Sequence, residues 1–220
     1  MSSQLFSFCF FEMELTAKRR AETGAFYTPK IRAEKAIEYM NRELWDLQNY
    51  IFYDPACGEW ALLEALPEWV QKFWTTLEKE DVEICESKWL VVDQLDFLTE
   101  KAIDFCERLQ AMGYQSKKPL VIFTNPPYFR LKKDQYPEIK KIYKTNDSVA
   151  LFYCRLMFMF EPAYICWFNK LDLRQSTDMG IFRERLAIYW TLQKMFITPS
   201  KSRPWLKGDF PIAFNILKKY

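Results

Sequence analysis

Apolar positions along the chain fall in short runs that switch between two periods. Ile37, Met40, Leu44 and Leu47 follow Thr28-Pro29 at helical spacing, which predicts a helix beginning there. "NYIFYDPACG" predicts a short strand over Tyr50 to Tyr53, cut off by Asp-Pro. "EWALLEALPEWVQKFWTTL" reads as helical with an interruption at Pro67, while "DVEICES" and "WLVVDQLDFL" read as strands ending in acids. "TEKAIDFCERLQAMG" is a helix with glycine at its end, and "PLVIFT" is a β-branched and aromatic strand.

A polar, lysine-rich connection, "LKKDQYPEIKKIYKTND", comes next. Helix-like "SVALFYCRLMFMF", strand-like "AYICWF", helix-like "STDMGIFRERLAIYW" and two last strand runs, "MFIT" and "PIAFNIL", complete the chain. Strands alternating with helices predict an α/β fold: a doubly wound, mostly parallel sheet covered on both faces. The two last strands predict an antiparallel hairpin at its edge. Residues 1–220 read as a single domain, with 1–20 ("LFSFCFF" included) as an apolar packing segment that is too short to span a bilayer.

Composition narrows the chemistry. No histidine occurs, which removes the commonest general base and the commonest metal ligand; no metal is expected. The six cysteines form no CxxC pair, as expected of reduced, buried thiols in a cytoplasmic protein. A net charge of +2 is too small to imply nucleic acid, so any basic surface has to be local. Two such patches are candidates: Lys132, Lys133, Lys140, Lys141 and Lys144, and Lys201, Arg203 and Lys207.

Two strand ends carry the candidate site. "VIFTNPPYFR" runs a strand into Asn125-Pro126-Pro127-Tyr128. Neither proline donates a backbone hydrogen bond and both fix φ, so the chain leaves the sheet stiffly and presents an amide and a ring. "YDPACG" places Asp54 and Gly58 in a tight turn before a helical run, a geometry that aims backbone N–H groups at a polar ligand. Glu86 and Asp96 end the next two predicted strands, where acids can bind ribose hydroxyls or an exocyclic amine. The set describes a nucleoside-containing cofactor lying across strand ends.

"GAFYTPK", "DPACGEWALLEAL", "DFL", "NPPY" and "FPIAF", in that order, resemble the N6-adenine DNA methyltransferases of the gamma arrangement, from about Gly24 onward. The resemblance implies a Rossmann-like class I methyltransferase fold using S-adenosylmethionine on adenine in DNA. It implies that Gly24, Tyr27, Thr28 and Pro29 approach the methionine portion and that Asp54, Ala56 and Gly58 line the cofactor bed. Glu86 would bind the ribose, and Asp96 with Phe97 the adenine. Asn125 and the Pro126 carbonyl would accept hydrogens from the target amine, and Tyr128 would stack on the flipped base with Phe214 or Phe210 as a second ring.

The chain departs from that pattern at Trp60, where the family has a second glycine. An indole there either packs into the helix or crowds the cofactor, which keeps open a silent scaffold or DNA-binding subunit. NPPY also occurs in RNA and protein-glutamine methyltransferases, a further alternative. The expected layout has no target-recognition domain, which leaves three alternatives: a separate specificity subunit, recognition by short loops, or a truncated chain; the partner expected is a specificity subunit or a second copy.

Overall fold

The computed structural model describes residues 28–58, 62–87, 92–99, 104, 107–109, 118–128, 131–132, 134–171, 180–199 and 211–220. Seven strands form one sheet: β1 (Ile51–Asp54), β2 (Gln71–Thr76), β3 (Asp93–Gln94), β4 (Leu120–Thr124), β5 (Tyr164–Lys170), β6 (Trp190–Thr198) and β7 (Ile212–Lys219). Their order is β3-β2-β1-β4-β5-β7-β6. The first five run parallel, and β7 lies antiparallel between β5 and β6, so the expected edge hairpin is present.

Every residue of β1 and β4 is buried, as for strands covered on both faces. The strand period of two splits them between two cores. Ile51, Tyr53 and Ile122 join one core with α4 (Ser148–Met159) and Phe182 of α5 (Gly180–Tyr189). Phe52, Val121 and Phe123 join the other with Ala33, Ile37 and Met40 of α1 (Lys30–Leu44). Two shorter helices, α2 (Lys79–Ser87) and α3 (Pro137–Tyr143), and a 3-10 turn at Leu47–Asn49 are also described.

Three expectations are corrected. Residues 62–70 form turns, and β2 occupies "QKFWTT", where a helix was expected. Phe73, Trp74, Thr75 and Thr76 are all buried, and such an unbroken buried run carries no period by which to separate strand from helix. "DVEICES" lies within α2 and is no strand; it buries Asp81 and Cys85, four apart on one helical face. The lysine-rich connection contains α3.

Candidate active site at the carboxyl edge of the sheet

The carboxyl ends of the parallel strands converge where the chain turns away from the sheet. Asp54, the last residue of β1, is buried and accepts the Ala56 N–H at 3.0 Å and the Thr124 hydroxyl at 2.7 Å. The second bond ties β1 to β4. Burial pushes the Asp54 carboxyl up to about 7, and these two donors pull the other way. Beyond it the turn places Gly58 at φ 59°, a conformation that glycine adopts without strain. The Gly58 carbonyl receives S–H donors from Cys57 at 3.4 Å and from Cys85 of α2 at 3.7 Å, which pins the turn to that helix.

One residue past β4, the Asn125 amide is held on both sides. Its Nδ2 donates to Thr28 Oγ1 at 3.0 Å, and its Oδ1 accepts the Tyr128 hydroxyl at 2.7 Å. The Pro127 carbonyl accepts the Ser148 hydroxyl at 2.8 Å, which fastens the diproline to the start of α4. Asp147 caps that helix by accepting the Val149 and Ala150 N–H groups. Tyr128 is only 7% exposed, and the Lys170 ammonium lies 5.5 Å from its ring centre. The Asn-Pro-Pro-Tyr backbone is therefore fastened on both sides, with the Tyr128 ring folded inward.

Two residues beyond β2 stands Glu78, and two residues beyond β3 stands Asp96. Asp96 accepts the Leu98 N–H on one carboxylate oxygen and the Tyr136 hydroxyl on the other, each at 3.0 Å. Asp54, Glu78 and Asp96 thus end three neighbouring strands with carboxylates, a donor-seeking edge beside a rigid amide. Such an edge suits a cation-bearing nucleoside with ribose hydroxyls and an exocyclic amine.

No family profile matches the chain. The type II methyltransferase M.VspI of Vibrio sp. (strain 343) is 26% identical over 151 residues, covering 65% of this chain and 36% of the relative. A modification subunit of a putative type I restriction enzyme from Vibrio vulnificus superposes with a TM-score of 0.64 at 16% identity, covering 95% of this chain and 48% of that one. A putative class I S-adenosylmethionine-dependent methyltransferase from Listeria monocytogenes superposes with a TM-score of 0.60 at 13% identity, over 84% and 58%. The fold is that of the class I methyltransferases. The likeness to DNA methyltransferases read from the motifs recurs in the sequence and the structure comparisons. This chain spans about a third of M.VspI and about half of the modification subunit.

On this methyltransferase fold several expected site residues assemble and others do not. Thr28, Asn125 and Tyr128 form one bonded group; Asp54, Ala56 and Gly58 form the β1 turn; Pro29 starts α1 by accepting the Arg32 and Ala33 N–H groups. Glu86 is not at a strand end. It lies exposed in the last turn of α2, so the acid ending β2 is Glu78, which the sequence reading passed over. The available signal was "KFWTT", a β-branched and aromatic run followed by the acid-rich helix start "LEKED".

Phe97 is 2% exposed, with its ring packed 4.7 Å from that of Phe152, so it is a core ring and not an open stacking face. Phe214 is fully buried between Phe168 and Phe196, on the α1 side of the sheet, and offers no second ring to a base. Both are large apolar residues, Phe214 within β7 and Phe97 just past β3, where core packing is the commoner use. Lys132 is exposed just beyond the clamp. Gly24, Tyr27, Trp60, Lys133, Lys201, Arg203 and Phe210 lie outside the described residues. Among the described residues no group of acids and cysteines could hold a metal ion, and no helix is long and apolar enough to cross a membrane.

Proposed function

We propose that this chain is the methyl-transferring core of a restriction-modification DNA methyltransferase, acting on the N6 amine of adenine. The observation that carries the reading is the Asn125 amide, fixed by the diproline at the end of β4, beside three strand-end carboxylates. S-adenosylmethionine would be held by Asp54 and Gly58 at its methionine end, by Glu78 at the ribose and by Asp96 at the adenine; when bound it supplies an electrophilic methyl. The residues present fit it: each strand-end acid can accept from a donor that this cofactor carries, and Gly58 holds its left-handed turn with no side chain beside the backbone.

The clamp's task is positioning. An exocyclic adenine amine is a weak nucleophile because its lone pair is delocalised into the ring. Asn125 Oδ1 and the Pro126 carbonyl would each accept one amine hydrogen, which favours a pyramidal nitrogen with its lone pair aimed along the line of transfer. The proton lost from nitrogen leaves to solvent, so no strong base is required. For this the Tyr128 hydroxyl must leave Asn125, and its ring must turn out to stack on the extruded base, worth ~1–3 kcal/mol against an extrusion cost of a few kcal/mol. DNA and a specificity subunit are the partners that this reading implies, in the cytoplasm.

A second reading, a silent scaffold of the same fold, draws on the inward-folded Tyr128. Labelled methyl transfer to unmethylated genomic DNA, total RNA and protein separates the classes of acceptor. The expected result is label in DNA, recovered as N6-methyladenine, with Asn125→Ala reducing the rate by at least about 100-fold through loss of an acceptor made in the transition state. Full activity in Asn125→Ala would sink the mechanism. Cofactor binding without transfer to any acceptor would favour the scaffold.

A further inference from the structure

The segment after the clamp returns to the cofactor edge through one residue. Tyr136 precedes α3 and sits at φ 47°, ψ 52°, a left-handed conformation that a bulky residue seldom adopts. Strain of this kind persists only where surrounding contacts hold it, and it concentrates at sites that switch. Here three contacts hold it, one being the Lys140 N–H donating to the Tyr136 carbonyl at 3.0 Å. The ring packs against the core on the α4 side of the sheet, and the hydroxyl donates to an Asp96 carboxylate oxygen at 3.0 Å.

That hydroxyl remains a donor at any working pH. Burial, followed by the Asp96 and Glu78 carboxylates beside it, raises it well above the ordinary tyrosine range. A neutral O–H on a strand-end carboxylate is the same kind of contact that an exocyclic amine N–H would make. The second Asp96 oxygen is already engaged by the Leu98 N–H. An arriving adenine amine therefore meets a carboxylate whose two oxygens each already accept one donor, and it has to share or take one of those positions. Of the two donors, the Leu98 N–H is fixed in the chain's own turn, whereas the Tyr136 hydroxyl can rotate away.

Resting on the cofactor reading above, we propose that Tyr136 is an internal stand-in for the cofactor's adenine amine, holding the Asp96 carboxylate until the cofactor displaces it and thereby releasing the start of α3. Glu138, Lys140 and Lys141 lie on that helix and Lys144 follows it, so occupancy of the nucleoside site is transmitted to a lysine-bearing surface beside the clamp. By linkage, whatever holds α3 in its released position also favours the cofactor.

Calorimetric titration of the intact protein with S-adenosylhomocysteine and with its deaminated 6-oxo analogue tests this, comparing the parent with Tyr136→Phe. Phenylalanine keeps the ring and its packing and removes the competing hydroxyl, and thermal melting checks that the variant is folded. The expected result is about tenfold tighter binding of the amine-bearing ligand by Tyr136→Phe, with no gain for the 6-oxo analogue. In the parent, amide exchange over residues 138–143 should speed up when the amine-bearing ligand is added. Equal or weaker binding by the folded variant, or exchange unchanged by ligand, overturns the proposal and leaves the cofactor reading standing. Absence of binding by both proteins defeats the two together.

Discussion

Asp54 shows how one buried group can set the pH response of the fold. Its carboxyl rises from an ordinary 3.8 to about 7 because burial outweighs the Thr124 and Ala56 donors. The folded state therefore holds the proton more tightly than the unfolded chain does. The stabilisation from the protonated form is complete below pH ~4, declines as pH rises from about 4 to about 7 and is gone above that. A displacement of that size corresponds to roughly 4 kcal/mol, taken as an order of magnitude. Asp54→Asn keeps a neutral acceptor for both donors, so its stability should lack this decline. Urea unfolding of the parent and the variant between pH 4 and 8 measures the difference. Parallel profiles would mean that Asp54 titrates in the folded state as an ordinary carboxylate does.

At the level of elements, legibility followed burial pattern. α1 and α4 were readable because their apolar positions recur at helical spacing or form long runs flanked by caps, and β4 and β5 because β-branched and aromatic residues dominate them. β2 was hidden because its buried residues are consecutive, and α2 because its valine, isoleucine and cysteine suggested a strand. That single exchange set Glu86, eight residues further on, at the expected strand end where the structure places Glu78. Within the candidate site, Asn125 and Asp54 were legible because a proline follows each, and Asp96 because an acid ends the strand-like run "WLVVDQLDFL". The inward turn of Phe97, Tyr128 and Phe214 was not, since a ring's direction depends on neighbours far along the chain. The corrected topology makes a paired prediction. Glu78→Ala should weaken S-adenosylmethionine binding about tenfold or more through loss of a charge-assisted hydrogen bond, while Glu86→Ala leaves it unchanged. Calorimetry on both variants decides, and the reverse order would restore Glu86 as the ribose ligand.

Across the whole molecule the net charge is +2, so on the proposed function any attraction to DNA has to come from a local field. Lys132, Lys141 and Lys144 are exposed near the clamp, beyond the carboxyl edge of β4. Lys118, Lys218 and Lys219 lie at the opposite edge, next to the amino ends of β4 and β5, where Lys118 donates to the Gln48 carbonyl and Lys218 faces the Tyr164 ring. Changing either trio to glutamine removes three positive charges and takes the net charge from +2 to −1 (2 − 3 = −1). A response governed by net charge would treat the two variants alike. Contact with phosphates would not, because each lysine that touches one contributes about 0.9 to the slope of log affinity against log salt. The carboxyl-edge trio should therefore lower the slope by up to roughly 3 in fluorescence anisotropy with duplex DNA, while the opposite trio leaves it in place. Equal losses from both would reduce the basic surface to a general electrostatic effect. A loss confined to the opposite trio would move the DNA path to the other side of the sheet, away from Asn125.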